Sequence, residues 1–91
     1  MNPYRLDVRD KARQQLRMVM PDRLRAEIVQ AMLDLRAEPR PLNSDLQREL
    51  QGRYRLKING WRVFYKIDGQ DKVVTVLEIR PRNRNTYLNV P

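Results

Sequence analysis

Two cations in the middle of the chain are the residues whose types and spacing point most directly to chemistry. Lys57 and Arg62 flank the dipeptide Asn59-Gly60, which is a strong signal for a two-residue turn between β-strands. Counting outward from that turn places Lys57 directly opposite Arg62, on the same face of a hairpin. Because like charges opposite each other destabilise a sheet, the pair indicates a site for an anion, with a spacing that suits a phosphate.

The hairpin itself is predicted from alternation on both sides of the turn. Asn-Gly supplies the two positive φ angles of a type I′ turn, and residues 53–58 and 61–67 alternate between apolar and cationic side chains. The apolar face, with Tyr54, Trp61 and Tyr65, is predicted to be buried because helices must cover it. We call the other face the cationic face; it carries Arg53, Arg55, Lys57, Arg62, Phe64 and Lys66.

Aromatic residues near these cations could contact a nucleotide. Phe64 lies among them, opposite Arg55; if exposed it can stack a nucleobase, and if buried it packs against the C-terminal tail or the Arg55 stem. Tyr87 could likewise contact a base, sugar or phosphate, or it could anchor the tail on the sheet. The tail adds cations that we expect near the same surface: Arg80, Arg82 and Arg84.

Composition supports a polyanionic partner. The 91 residues carry a net charge of +8, and residues 50–91 hold 9 basic against 3 acidic side chains. Fifteen of the 19 cations are arginine, whose fork of donors matches phosphate oxygens. The alternative is a solvated basic surface with no specific partner.

Several kinds of chemistry are excluded by what the chain lacks. There is no cysteine and no histidine, which excludes disulfides, thiolate or imidazole metal ligands, and catalysis by those side chains. We therefore expect no metal and no cofactor. No apolar run approaches the roughly 20 residues of a membrane span, and the N-terminus has no signal-peptide hydrophobic region. Together with the absence of cysteine, this favours a cytoplasmic protein with no membrane partner.

RNA cleavage is the reaction that this face could perform. RNA carries its own nucleophile, the 2′-hydroxyl; the site must supply a base, charge stabilisation on the phosphate, and an acid for the leaving 5′-oxygen. Neighbouring cations disfavour the ammonium form of a lysine, so Lys57 among arginines is a candidate base. Glu78 is a second candidate if the strand register places it beside Arg62. Its alternative role is a salt bridge that relieves the Lys57–Arg62 repulsion.

The flanking elements must position this hairpin. Residues 4–8 alternate as a half-buried strand, and Asp10 is predicted as the N-cap of a helix that reaches about Met20. Pro21 starts a second helix, which ends before Pro39. Leucines at four-residue spacing then predict a short helical turn or an ordered loop: Leu42, Leu46 and Leu50.

The register of the last strand, residues 73–79, depends on the loop before it. A five-residue loop would turn Val73, Thr75, Leu77 and Ile79 toward the core, and other loop lengths reverse this. The fold class is α+β: an N-terminal strand, a two-helix hairpin and a three-stranded antiparallel meander, forming one antiparallel sheet with the helices on one face. Residues 1–91 are predicted to form a single domain whose cationic face stays open.

With these elements in this order, the chain resembles the RelE/ParE toxin superfamily of type II toxin–antitoxin systems. The resemblance rests on Tyr4-Arg5-Leu6, the proline-linked helices, residues 50–56 and 61–67, and a last strand followed by arginines and Tyr87. It implies a RelE-like fold and a cytoplasmic toxin neutralised by a cognate acidic antitoxin. RelE-like members enter the ribosomal A site and cleave mRNA.

The resemblance also implies roles for individual residues. Carried over, Lys57 is the base, Arg62 the strand arginine, Arg82 or Arg84 the acid or leaving-group stabiliser, and Tyr87 orients the nucleotide. Arg55 stands where RelE-like toxins have a first lysine.

Three functions stay open at this point. The ParE branch of the superfamily poisons DNA gyrase without nuclease activity and also carries the strand arginine. Lys57 together with Tyr87 favours the nuclease branch. The third possibility is a nucleic-acid-binding relative without toxicity.

Overall fold

Two helices and four strands form the fold of the computed structural model, which describes residues 3–41 and 53–83. The predicted helical turn at Leu42, Leu46 and Leu50 lies outside these residues, as do Arg84 and Tyr87. Neither described helix is long and apolar enough to cross a membrane. In chain order the elements are β1 (Arg5–Val8), α1 (Asp10–Arg17), α2 (Asp22–Asp34), β2 (Arg53–Ile58), β3 (Trp61–Asp68) and β4 (Val73–Pro81).

The four strands make one mixed sheet in the order β1-β4-β3-β2. The meander β2-β3-β4 is antiparallel as predicted, and the α+β class with both helices on one face is confirmed. The expectation of a wholly antiparallel sheet is wrong, because β1 pairs with β4 in parallel. Parallel strands need a long connection, and here it runs through both helices and through β2 and β3.

Both helices begin one residue away from the predicted position. Arg9, not Asp10, is the N-cap of α1, and no side chain caps it; Asp10 is the first helical residue. Its carboxylate still lies in the first turn, where the helix dipole favours an anion. Pro21 is the N-cap of α2 rather than its first helical residue, and α1 ends at Arg17, before the predicted Met20.

The hydrophobic core lies between the helices and one face of the sheet. Helix positions spaced by three or four residues meet alternate positions of β3 and β4, as the two periodicities require. Tyr54, Trp61 and Leu56 are partly buried against this core. The buried members are Ala12, Val19, Ile28, Met32, Leu35, Val63, Tyr65, Val74, Val76 and Ile79.

The hairpin turn has two residues, as predicted, since Ile58 pairs with Trp61. Asn59 has a φ of 51°, in the left-handed region that asparagine tolerates. The φ angle of Gly60 lies outside the range from +20° to +160°. A type I′ turn requires positive φ at both central residues, so the prediction of this turn type is wrong.

The register of β4, which the sequence left dependent on the loop length, differs over most of its length from the one expected for a five-residue loop. Asp68 pairs with Val73, which leaves a four-residue loop, one residue shorter than the loop assumed for the core-facing set. This change reverses the faces, so Val74 and Val76 enter the core instead of Val73 and Thr75. A bulge at Leu77 then restores Ile79 to the core, because Tyr65 pairs with Val76 while Phe64 pairs with Glu78.

Candidate anion-binding site on the cationic face

The strand pairing sets the predicted cations side by side. Lys57 lies opposite Arg62, which confirms the pairing predicted from the turn. On its other side Arg62 lies opposite Arg80 of β4. Lys57, Arg62 and Arg80 therefore form a line of three cations across three strands, which we call the cation row. Directly opposed side chains have Cβ atoms about 5 Å apart, so the row concentrates positive charge.

The remaining cations of this face flank the row. Arg53 lies opposite Lys66, and Arg55 lies opposite Phe64. Arg53, Arg55 and Lys66 are half-buried, whereas Lys57 is exposed. The face thus presents an exposed lysine beside partly buried cations.

Glu78 neutralises one end of the cation row. Its carboxylate bonds Arg80 through one oxygen and Lys11 of α1 through the other, and the residue is only 4% exposed. The condition for Glu78 to act as a base, a position beside Arg62, is not met, because the bulge places it opposite Phe64. Of its two predicted roles, the structure favours the salt bridge, made with different partners, since two cations already occupy the carboxylate. Lys57 and Arg62 keep their mutual repulsion.

Arg62 is held close to the turn. It is 7% exposed, and its Nη1 donates hydrogen bonds to the carbonyl oxygens of Trp61 at 2.8 Å and Asn59 at 3.3 Å. Its Nε is buried and has no hydrogen-bond partner among the residues that the structure describes. A buried donor without an acceptor costs free energy, which an anionic oxygen reaching Nε would recover.

Phe64 does not offer an exposed ring. It is 1% exposed, and the Arg80 guanidinium lies over the ring at 5.4 Å from its centroid. Of the two roles left open for Phe64, its burial therefore favours packing over stacking of a nucleobase. The contact also helps to hold Arg80 in the cation row, since a guanidinium is attracted to an aromatic face.

The chain after β4 returns to the hairpin turn. The Arg82 amide donates to the Gly60 carbonyl oxygen at 2.7 Å, and the Arg82 side chain is exposed. This places Arg82 at the same end of the sheet as Lys57 and Arg62. Arg84 and Tyr87 lie outside the described residues, so their roles stay predictions.

Sequence reasoning missed two contributors to this region. Lys11 was not assigned to it, because only the packing of α1 beside β4 brings it to Glu78. Glu27 of α2 was also missed; its Oε2 accepts a hydrogen bond from Asn59 Nδ2 at 2.8 Å. No cluster of metal-ligating side chains occurs within residues 3–41 and 53–83.

The fold is shared with a class of small toxins. The chain resembles the toxin–antitoxin complex RelBE2 from Mycobacterium tuberculosis at a TM-score of 0.77 and 31% identity, covering 88% of this chain and 99% of that one. The archaeal RelE–RelB complex from Pyrococcus horikoshii OT3 gives a TM-score of 0.77 and 25% identity, covering 90% and 98%. The fold is therefore that of RelE-like toxins.

Sequence comparison assigns the family. The model for "ParE toxin of type II toxin-antitoxin system, parDE" matches residues 6–86. The toxin RelG of Mycobacterium tuberculosis is 31% identical over 80 residues, covering 88% of this chain and 92% of that protein. The chain belongs to the ParE toxin family of type II toxin–antitoxin systems, and the predicted RelE/ParE superfamily is confirmed.

Proposed function

We propose that this toxin is a ribosome-dependent endoribonuclease that cleaves mRNA. The observation that supports the proposal is the cation row of Lys57, Arg62 and Arg80, with Arg82 tied to the adjacent turn. Adjacent like charges are unfavourable in a sheet without a ligand, and a phosphodiester would neutralise them. An exposed lysine beside the buried Arg62 and the half-buried Arg80 provides one group that can exchange a proton and others that stay charged.

In the proposed reaction the 2′-oxygen of the RNA attacks the adjacent phosphorus, and the bond from phosphorus to the 5′-oxygen breaks. The products are a 2′,3′-cyclic phosphate and a free 5′-hydroxyl. Lys57, in its neutral form, accepts the 2′-hydroxyl proton. Arg55 and Arg62 stabilise the additional negative charge on the phosphate oxygens. Arg82 stabilises the leaving 5′-oxygen, which takes a proton from water to become the 5′-hydroxyl, and the Lys57 ammonium returns its proton to solvent. No metal or cofactor takes part.

Arg55 sets the expected limit on this reaction. It stands where RelE-like toxins have a first lysine, so Lys57 is the one proposed base. Arginine keeps the phosphate contact but is a poor proton acceptor. We therefore expect intact phosphate binding and a reduced rate.

A cognate acidic antitoxin is the proposed partner that restrains the toxin. Two structural relatives are toxin–antitoxin complexes, and this chain carries a net charge of +8. An acidic segment could cover the cationic face or displace the chain beyond Arg82. A structure of the complex with that face bare and the tail unmoved would contradict this binding mode.

Inhibition of DNA gyrase without nuclease activity is the second candidate. The matching family is described as ParE, and in the structure Arg62 is bonded to its own turn while Phe64 is buried. Both features reduce the surface available to an RNA nucleotide.

Primer extension on mRNA undergoing translation separates the candidates. We expect discrete cleavages with the wild-type chain and a loss of about 10²- to 10⁴-fold in Lys57→Ala and Arg62→Ala. Lys72→Ala is the matched control, because Lys72 is exposed in the loop at the opposite end of β3. Intact mRNA together with accumulated gyrase–DNA breaks would contradict the proposal and support the second candidate. Normal growth on expression without antitoxin would indicate an inactive relative.

A further inference from the structure

We propose that Glu27 of α2 is a positioning residue that holds the Asn59–Gly60 turn, and through it Arg62 and Arg82, in place around Lys57. Its catalytic consequence rests on the proposed nuclease function. The positioning itself concerns hydrogen bonds that can be measured without any activity.

Three hydrogen bonds converge on this two-residue turn. The Asn59 side chain donates to Glu27 Oε2 at 2.8 Å. The Asn59 carbonyl oxygen accepts from Arg62 Nη1 at 3.3 Å, and the Gly60 carbonyl oxygen accepts from the Arg82 amide at 2.7 Å. The turn therefore connects one residue of a helix to two cations of the site.

Glu27 lies on a part of α2 whose backbone is held in place by the core. Its neighbour Ile28 is fully buried in the core, so the helix backbone at this position is anchored. The turn, by contrast, belongs to a hairpin whose outer strand, β2, is at an edge of the sheet. A contact from an anchored helix to the tip of an edge hairpin restricts the motion of that tip.

The contact contributes little to overall stability, because both partners are exposed. Its loss should instead change the local order of the turn. The carbonyl oxygens of Asn59 and Gly60 would then hold Arg62 and Arg82 less firmly. A displacement of a catalytic group by about 1 Å can cost roughly 10²-fold in rate, so a small loosening has a measurable effect.

Hydrogen exchange of the Arg82 amide tests the positioning directly. We expect this amide to exchange about tenfold faster in Glu27→Ala than in the wild-type chain. Glu27→Gln should restore the wild-type rate, because the amide oxygen of glutamine can accept the same hydrogen bond. The Arg9 amide serves as the reference, because it donates to the Val76 carbonyl oxygen at 3.0 Å and does not contact the turn. Its exchange should be unaffected. Unchanged Arg82 exchange in Glu27→Ala, or failure of Glu27→Gln to restore it, would overturn the proposal.

Cleavage kinetics test the catalytic consequence. Glu27→Ala should lower kcat about tenfold with little change in KM, since the cations that bind phosphate remain but their geometry loosens. Glu27→Gln should restore kcat. If the wild-type chain cleaves no mRNA, the nuclease function fails, while the exchange of the Arg82 amide still decides the positioning. Slower cleavage that Glu27→Gln does not restore would overturn the catalytic part.

Discussion

Both faces of the middle of strand β3 are buried, but their polar groups differ in whether they find partners within the fold. Val63 and Tyr65 face the hydrophobic core, while Arg62 and Phe64 face the cationic side, and all four are at most 7% exposed. On the core side the Tyr65 hydroxyl donates to the Pro39 carbonyl oxygen at 2.9 Å, and the ring stacks on Tyr54. On the cationic side Arg62 retains a buried Nε without a partner among the described residues.

This difference shows that burial alone does not identify a structural residue. The core side meets its polar requirements within the fold, as buried groups generally do. The cationic side keeps repelling charges and, among residues 3–41 and 53–83, an unsatisfied donor, both of which an anionic ligand would satisfy. Substitution of the core-side Tyr65 should therefore cost stability, whereas substitution of the repelling cations Lys57 and Arg62 should cost activity. The following predictions test this comparison, from the largest expected change in stability to the smallest.

Tyr65→Ala should lower the free energy of unfolding by about 3–5 kcal/mol, because it opens a cavity in the core. It also removes the donor to Pro39 and the stacking partner of Tyr54. Urea unfolding followed by circular dichroism measures the change. Tyr65→Phe, which keeps the ring, should cost only about 0.5–1.5 kcal/mol. Equal losses in the two variants would mean that the hydrogen bond, not the packing, dominates here.

Glu78→Gln should cost about 1–3 kcal/mol, because it removes the buried charge that neutralises Arg80 and Lys11. The same chemical unfolding experiment measures it. Asp22→Asn is the matched control, since Asp22 forms an exposed pair with Arg25 and should cost at most about 1 kcal/mol. A smaller effect at Glu78 than at Asp22 would show that the ion pairs of the cation row contribute nothing.

Arg62→Met should change stability by less than about 1 kcal/mol while abolishing cleavage. Replacing a buried charge by an apolar side chain of similar length is often neutral or stabilising, and here it also removes the unpaired Nε and the repulsion in the cation row. Unfolding and primer extension should be measured on the same preparation. A loss above about 2 kcal/mol would place Arg62 on the structural side of the comparison.

Lys57→Ala should raise stability slightly, by at most about 0.5 kcal/mol, because it relieves the repulsion with Arg62. The gain should shrink as salt screens the charges, so unfolding in 50 mM and 500 mM NaCl provides the measurement. The same variant should lose nearly all cleavage. A gain that does not depend on salt would point to strand propensity rather than charge.

Part of this site follows from local sequence rules and part does not. The pairing of Lys57 with Arg62 is predictable, because a two-residue Asn-Gly turn leaves one register for the hairpin. The position of Glu78 is not predictable in the same way. It depends on a four-residue loop and a bulge at Leu77, and either one alone would have turned the carboxylate to another neighbour.

For the helices too, the buried positions follow from the sequence, but the contacts with the site do not. Apolar residues at helical spacing indicate which side of a helix faces the core, and Ile28, Met32 and Leu35, which have this spacing, are buried. Nothing in the sequence distinguishes Lys11 and Glu27 from other charged residues on helix surfaces. Only the tertiary packing brings Lys11 to Glu78 and Glu27 to Asn59.

The parallel pairing of β1 with β4 has a consequence for how the protein is made. Arg5 pairs with Val73, so the first strand to leave the ribosome must wait for the last strand before it can join the sheet. We expect nascent chains that end before Val73 to be digested readily by protease, and chains that include β4 to resist. The toxin would then complete its sheet, and acquire its cation row, only after most of its own message has been read.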